Sequence, residues 1–204
     1  MTNLAVNMIT YNGLGAFVKE ALEAVKPIVD EIVVYDTGST DGTYEYLKSL
    51  KDIKLFYEDV GKFGERDLGA ITPVSNRIIE LLNEAKKNTK SEWIIKVDDD
   101  EIFTHELLRE IKTMKKDYPI YSIPFYHVGT GSKQFLIKRL FQNIPQVWFT
   151  GAFFKQDSGV GETLTLNGRK LSSKRCPRTK NFFYHLGSFK KNVNERNHDY
   201  SKWL

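Results

Sequence analysis

"SEWIIKVDDDEIF", residues 91–103, joins an apolar run to an acidic one. Trp93 to Val97 reads as a buried strand, short and largely apolar. It ends in Asp98, Asp99, Asp100 and Glu101, four carboxylates that repel one another unless a cation compensates. In a strand, residues i and i+2 point to the same side. Asp98 and Asp100 are therefore expected to face one direction and Asp99 the other, with Glu101 starting the next helix. Two carboxylates on one side, with positions left open for water and phosphate oxygens, suit Mg²⁺ or Mn²⁺. The competing reading is a solvated acidic turn that caps a helix beginning near Thr104. An EF-hand is excluded, because the twelve-residue calcium-loop pattern is absent.

Upstream of this stretch the chain alternates. "LAVNMI" (4–9), "EIVVYD" (31–36) and "IKLFYED" (53–59) read as strands. Between them, Phe17, Ala21, Leu22, Val25 and Ile28 follow the spacing of one helix face. Asp41 can cap a second helix carrying Tyr46, Leu47 and Leu50. Pro73 starts a third, with Ile78, Ile79, Leu81 and Leu82. Thr104 caps a fourth, with Leu107, Leu108, Ile111 and Met114. Four strand–helix alternations predict an α/β fold with a mostly parallel, doubly wound sheet. In such sheets ligands bind beyond the carboxyl ends of the strands. Here those ends read "TYNG", "YDTGSTDG" and "VDDDE", so the polar and acidic residues collect where a site is expected.

Past residue 118 the character changes. "IYSIPFYHV", "QFLIKRLFQN" and "VWFTGAFF" read as strands, and Asn167-Gly168 marks a hairpin. "FFYHLGS" adds another extended segment. The polar stretch from Phe189 to Leu204 suggests a short helix. No linker or repeat divides the chain, so residues 1–204 are expected to form one domain with an antiparallel-rich second half. Its 41% hydrophobic and 27% charged residues are ordinary for a globular protein, and the net charge of +4 is too small for a protein that coats nucleic acid. One cysteine, Cys176, permits no internal disulfide and is compatible with a reducing compartment. Neither a leader nor an apolar run of membrane-spanning length is read, and the expected location is the cytoplasm.

"NMITYNG", "VDEIVVYDTGSTDGT" (29–43) and "EWIIKVDDDEIF", in this order and spacing, resemble the family 2-type glycosyltransferases with a GT-A fold. "KRLFQN" (138–143) and "YHLGS" (184–188) are similar to later landmarks of the same enzymes. The resemblance implies a nucleotide-sugar donor, a glycan, protein or lipid acceptor, and a divalent metal, Mn²⁺ or Mg²⁺. It implies a donor-binding half at 1–118 and an acceptor-binding half at 119–204. Tyr11 matches the aromatic beside the base, and Asp36 the acid that bonds base or ribose. Asp41 falls in the same nucleotide-binding turn. Asp98 and Asp100 match the outer positions of a D-x-D motif, touching ribose and metal, with Asp99 directed toward the sugar. His185 matches a late histidine that completes the metal or diphosphate site, and Arg139 a basic residue of the donor site. The alternation in "QFLIKRLF" also allows Lys138 or Arg139 to face solvent.

One departure from the pattern concerns the general base. The His-Glu pair common after the "RLF" strand is missing from "VWFTGAFFKQDSGVGETL". Asp157, between an apolar strand and a flexible loop, is the expected base for an inverting reaction, with Glu162 in reserve. Lys174, Arg175, Arg178 and Lys180, then Lys190, Lys191 and Arg196, form a basic cluster suited to a leaving diphosphate, an anionic acceptor or peripheral contact with a membrane surface. The loop 61–73 is glycine-hinged and suited to closing over the donor. The chain is compact for this family, so acceptor recognition is expected to draw on a partner or a second subunit. The alternatives are a sugar-phosphate nucleotidyltransferase and an inactive binding protein of the same fold. The first usually has a basic glycine-rich loop after strand one, whereas "TYNGLGAF" has no Lys or Arg. The second has no use for a costly acid cluster.

Overall fold

Leu4–Thr10 (β1) is buried along nearly its whole length, as a central strand covered on both faces must be. The computed structural model describes residues 3–60, 73–128, 134–153 and 160–186. After β1 come α1 (Val18–Val25), β2 (Glu31–Asp36), α2 (Thr43–Ser49), β3 (Lys54–Tyr57), α3 (Pro73–Lys87), β4 (Trp93–Asp98), β5 (Glu101–Phe103) and α4 (His105–Thr113). The second half contributes β6 (Ile120–His127), β7 (Gln134–Gln142), β8 (Val147–Phe153), β9 (Val160–Leu166), β10 (Arg169–Lys170), one 3-10 turn and β11 (Phe183–His185).

The main sheet has the order β3-β2-β1-β4-β7-β6-β11-β5, and β8 to β10 form a separate antiparallel sheet. β3, β2, β1 and β4 all run parallel, which brings their carboxyl ends to one edge. β7 enters antiparallel beside β4, and β6 returns antiparallel to β7. β11 then pairs parallel with β6 and antiparallel with β5. The expected α/β architecture is present. Much of the antiparallel region extends the first sheet, and β8 to β10 alone stand apart.

Strand alternation divides the core. Leu4, Val6, Met8, Trp93, Ile95 and Val97 pack against Val18, Ala21, Leu22 and Val25 of α1 and Leu107, Leu108 and Ile111 of α4. The apolar spacing of both helices is i, i+3, i+4, and that stripe is the face they bury. Ala5 and Ile94 point the other way, toward Leu82 of α3 and Phe149 of the small sheet. Thr104 caps α4 as the sequence suggests, its Oγ1 accepting from Leu107 N at 3.3 Å. Asn167 (φ 51°) and Gly168 (φ 73°) turn β9 into β10 with the left-handed pair that a tight hairpin needs.

The link from β4 to β5 shapes the site. β4 lies in the middle of the sheet and β5 at its far edge, yet only Asp99 and Asp100 separate them. Four strand steps in a flat sheet span about 19 Å, whereas the three peptide links from Asp98 to Glu101 reach about 11 Å at most. The sheet must therefore curl, and β5 and β11 fold back toward the tip of β4. Two sequence expectations change here. Asp99 and Asp100 occupy a turn, so strand alternation no longer decides where they point. Glu101 belongs to β5 and is buried, where it was expected to start a helix; the helix begins four residues later. The loop 61–72 and the polar stretch from Phe189 onward lie outside the described residues.

Candidate active site at the strand tips

The tips of β1 and β2 are stitched together. Asn12, at φ 54°, donates its amide to Ser39 Oγ at 2.8 Å and accepts from Thr40 N at 2.8 Å. Thr37 returns two bonds to the Thr10 carbonyl, from its amide at 3.0 Å and its hydroxyl at 2.9 Å. Asp36 ends β2 fully buried. Its Oδ1 accepts from Gly38 N at 3.1 Å and Ser39 N at 2.9 Å, the local turn that short acidic side chains form. Gly38 is needed there: its φ is 104°, and an added Cβ would stand 2.7 Å from Asp59 Oδ1. Asp36 Oδ2 is buried with no hydrogen-bond partner among the described residues. A buried acceptor of this kind is uncommon and calls for a donor from elsewhere.

Asp41 sits one residue before the helix cap, Gly42. Its Oδ1 accepts from Thr43 N at 3.0 Å and Thr43 Oγ1 at 2.5 Å, and its Oδ2 from Gly15 N at 3.1 Å. Oδ1 thus sets the start of α2, and Oδ2 ties that turn to the β1–α1 loop. Asp41 is also absent from the lining of the neighbouring cleft.

That cleft, about 440 Å³, opens over the tips of β1 and β4. Ile9, Ile78 and Leu82 form its apolar part, and Thr10, Tyr11, Thr37, Lys96, Asp98, Asp99, Asp100 and His185 its polar part. All three aspartates line it, including Asp99, which the alternation rule had sent elsewhere. Asp99 Oδ2 accepts from Thr10 Oγ1 at 2.8 Å, and its carbonyl from Phe17 N at 3.0 Å. The Asp100 carbonyl accepts from Leu186 N at 2.7 Å. Backbone bonds from two distant segments therefore fix the acid turn.

The mutual repulsion of the acids is offset from within. Lys96 Nζ lies 2.6 Å from Asp98 Oδ1. Arg139 Nη2 contacts both Asp98 Oδ2 and Glu101 Oε1. Glu101 Oε2 accepts from Asp98 N at 2.9 Å. Lys96, Glu101 and Arg139 are all buried, so the expectation that Lys138 or Arg139 faces solvent is not met. Lys138 is also engaged, donating to Thr163 Oγ1 and to the Leu164 and Leu171 carbonyls. Burial pushes the Glu101 carboxyl up to about 7, against the pull of Arg139.

His185 completes the group from β11. Its Nε2 lies 3.5 Å from Asp100 Oδ2, and the His127 ring lies beside it, tilted by 60° at 4.6 Å between ring centroids. Burial holds the His185 imidazole below its ordinary value, with Asp100 pulling the other way and His127 adding to the depression. A neutral imidazole is the form that ligates metals. Its Nδ1 is buried without a hydrogen-bond partner among the described residues. For ligands about 2.1 Å from a small divalent ion, adjacent octahedral donors stand about 3 Å apart. The Asp100–His185 pair is close to that spacing. Among the described residues no group of three or more His, Cys, Asp or Glu side chains is arranged to hold a metal. Asp100 and His185 would thus supply part of a coordination shell, and a bound phosphate and water the rest.

The structure brings Tyr11, Asp98, Asp99, Asp100 and His185 to one cleft, holds Asp36 behind it and Arg139 beneath it, and leaves Asp41 in the adjoining turn. Asp157 lies outside the described residues. Glu162 pairs with Gly151 in the small sheet, and its side chain is likewise outside the described set. Thr10, Lys96 and Glu101 were missed as site residues. Lys96 carried a signal, since a lysine two positions before Asp98 in an apolar strand shares its face.

A family model described as glycosyl transferase family 2 matches residues 5–167. The SPbeta prophage-derived glycosyltransferase SunS of Bacillus subtilis (strain 168) is 25% identical over 170 residues, covering 80% of this chain and 37% of that protein. The chain thus spans well under half the length of the curated relatives it matches. The crystal structure of S. aureus TarS 1-349 is similar in fold, with a TM-score of 0.50 and 19% identity over 64% of this chain and 38% of that one. With the family model spanning β1 to the β9–β10 hairpin and the sheet curled over an acidic strand tip, the chain belongs to glycosyl transferase family 2 and has a fold of the GT-A type.

Proposed function

We propose that the protein transfers a sugar from a nucleoside diphosphate sugar to an acceptor hydroxyl, with inversion, using Mn²⁺ or Mg²⁺. The observation that carries this reading is the cleft in which Asp98, Asp99 and Asp100 meet His185 at the tips of parallel strands. Asp100 and His185 would hold the ion. When bound, the ion would screen the diphosphate and take up the charge that develops on it as the glycosidic bond breaks. Tyr11 flanks the base, and the unpartnered Asp36 Oδ2 offers an acceptor to a base N–H or a ribose hydroxyl. Asp98 meets the ribose, Asp99 the sugar, and Arg139 keeps the acids compatible with one another. Asp41 supports the same site by fixing its loop. Residues 1–204 are read as one domain with the donor on 1–118 and a glycan, protein or lipid acceptor on 119–204. The reading places the protein in the cytoplasm; no described helix is long and apolar enough to cross a membrane.

The test is a thermal-shift and calorimetric screen of UDP-, GDP- and dTDP-sugars, each with and without Mn²⁺. One nucleotide is expected to stabilise the protein in a metal-dependent way. At a ligand concentration 100 times Kd the gain is about 2.7 kcal/mol. Absence of any response, in wild type and in Asp98→Ala/Asp100→Ala alike, would remove the enzyme reading. For the base, Asp157→Asn is expected to lower transfer about 10²- to 10⁴-fold while donor affinity stays unchanged. Retained transfer would shift the role to Glu162.

A further inference from the structure

We propose that Glu101 is a positioning residue for Asp98, acting on its backbone directly and on its carboxylate through Arg139. The inference rests on the reading of Asp98 as a donor-binding residue. Glu101 is 1% exposed and reaches no cleft surface, so it cannot touch a donor. Its two oxygens divide the work. Oε2 accepts from Asp98 N at 2.9 Å and fixes where the main chain leaves β4. Oε1 receives Arg139 Nη2, the same nitrogen that contacts Asp98 Oδ2. Lys96 takes the other Asp98 oxygen. The Asp98 carboxylate is thus held from both sides, and its rotation requires Arg139 to move. Glu101 holds the Arg139 nitrogen that makes this contact.

Stability alone gives a weak account of this group. A buried glutamate, lysine and arginine around the partly buried Asp98 cost desolvation that an apolar cluster of the same volume would avoid. The cost is understandable if the geometry of Asp98 is what the group provides. Rigid support of this kind is what keeps a binding constellation at its working distance.

The test uses the full chain and calorimetry with Mn²⁺ and whichever of UDP, GDP or dTDP the wild type binds best. Glu101→Gln keeps the shape, but its amide can satisfy only one of the two contacts by acceptance and turns a donor toward the other. It is expected to weaken nucleotide binding about tenfold, a loss typical of a coupled pair. Arg139→Lys keeps the charge but loses the planar fork, and is expected to weaken binding by a similar factor; it serves as the second variant should Glu101→Gln not fold. A structural role would lower affinity equally in any background. A positioning role predicts that in Asp98→Asn either change alters affinity less than about twofold. Full additivity would overturn the proposal, as would wild-type affinity in both variants while Asp98→Asn binds weakly. If wild type binds no nucleotide, the donor reading of Asp98 falls and this inference falls with it.

Discussion

Asp100→Asn should lower sugar transfer about 10²- to 10³-fold, the loss typical when one electrostatic contact to the transition state is removed, while leaving the fold intact. Asp100 is 4% exposed and faces His185 Nε2 at 3.5 Å. Its position is set by the main chain, through the bond from Leu186 N to its carbonyl. Asparagine keeps that bond and nearly the same volume. What it removes is the negative charge that, with the neutral His185, would hold a divalent ion against the diphosphate. Binding of metal and nucleotide should therefore weaken together, and excess Mn²⁺ should restore part of the activity. The measurement is kcat/KM as a function of Mn²⁺ concentration, with the unfolding midpoint as control. Activity within about threefold of wild type would take Asp100 out of the metal site. The same protein with metal stripped by a chelator should behave like the variant, since both lose one contribution.

Phe183→Ala should destabilise the protein by about 3–5 kcal/mol, the usual cost of emptying a large aromatic site. Phe183 is fully buried. It stacks on Phe103 at 4.5 Å with 3° between planes and on Phe125 at 5.3 Å with 17°. These rings come from β5 and β6, the two neighbours of β11 in the sheet. β11 is only three residues long, so few backbone bonds hold it, and the ring supplies much of its anchorage. His185 shares its face two positions on. The substitution should therefore also weaken metal-dependent nucleotide binding beyond what global unfolding explains. Denaturant unfolding gives the first quantity and calorimetry under native conditions the second. Tyr184, exposed at 40% on the opposite side, is the control, and its replacement by alanine should cost under about 1 kcal/mol. A change below about 1 kcal/mol for Phe183→Ala would mean that β11 is held chiefly by other contacts.

The first half was legible because its signals are local. In 4–36, a short apolar run gives way to a helical spacing and then to a second apolar run, and the elements fall within a few residues of where that pattern puts them. The acids were legible for a related reason: a strand that ends in charge must end at a solvent- or ligand-facing edge. The turn geometry was not legible. Alternation holds only while the backbone stays extended, and the chain turns after Asp98 because Phe183 to His185 pair with β5 from far along the sequence. Arg139 and Glu101 lie 38 residues apart, and each alone had a bland reading, solvent for one and a helix start for the other. Only the placement of β7 beside β4 unites them. Tyr11, Asp36 and His185 are legible only through the motif resemblance, and the fold brings Tyr11 and His185 to the cleft that the acids line.

The curl of the sheet also sets a timetable. The parallel strands and their acids leave the ribosome early, since β1 to β4 are complete by Asp98. His185 arrives on the last described strand, and β5 has no neighbour until that strand docks. Between Asp98 and His185 the nascent chain thus carries its acids without the histidine that would finish the site, and with one strand edge open to unwanted pairing. A half-made copy would lack part of the proposed site and would present an unpaired strand edge in its place.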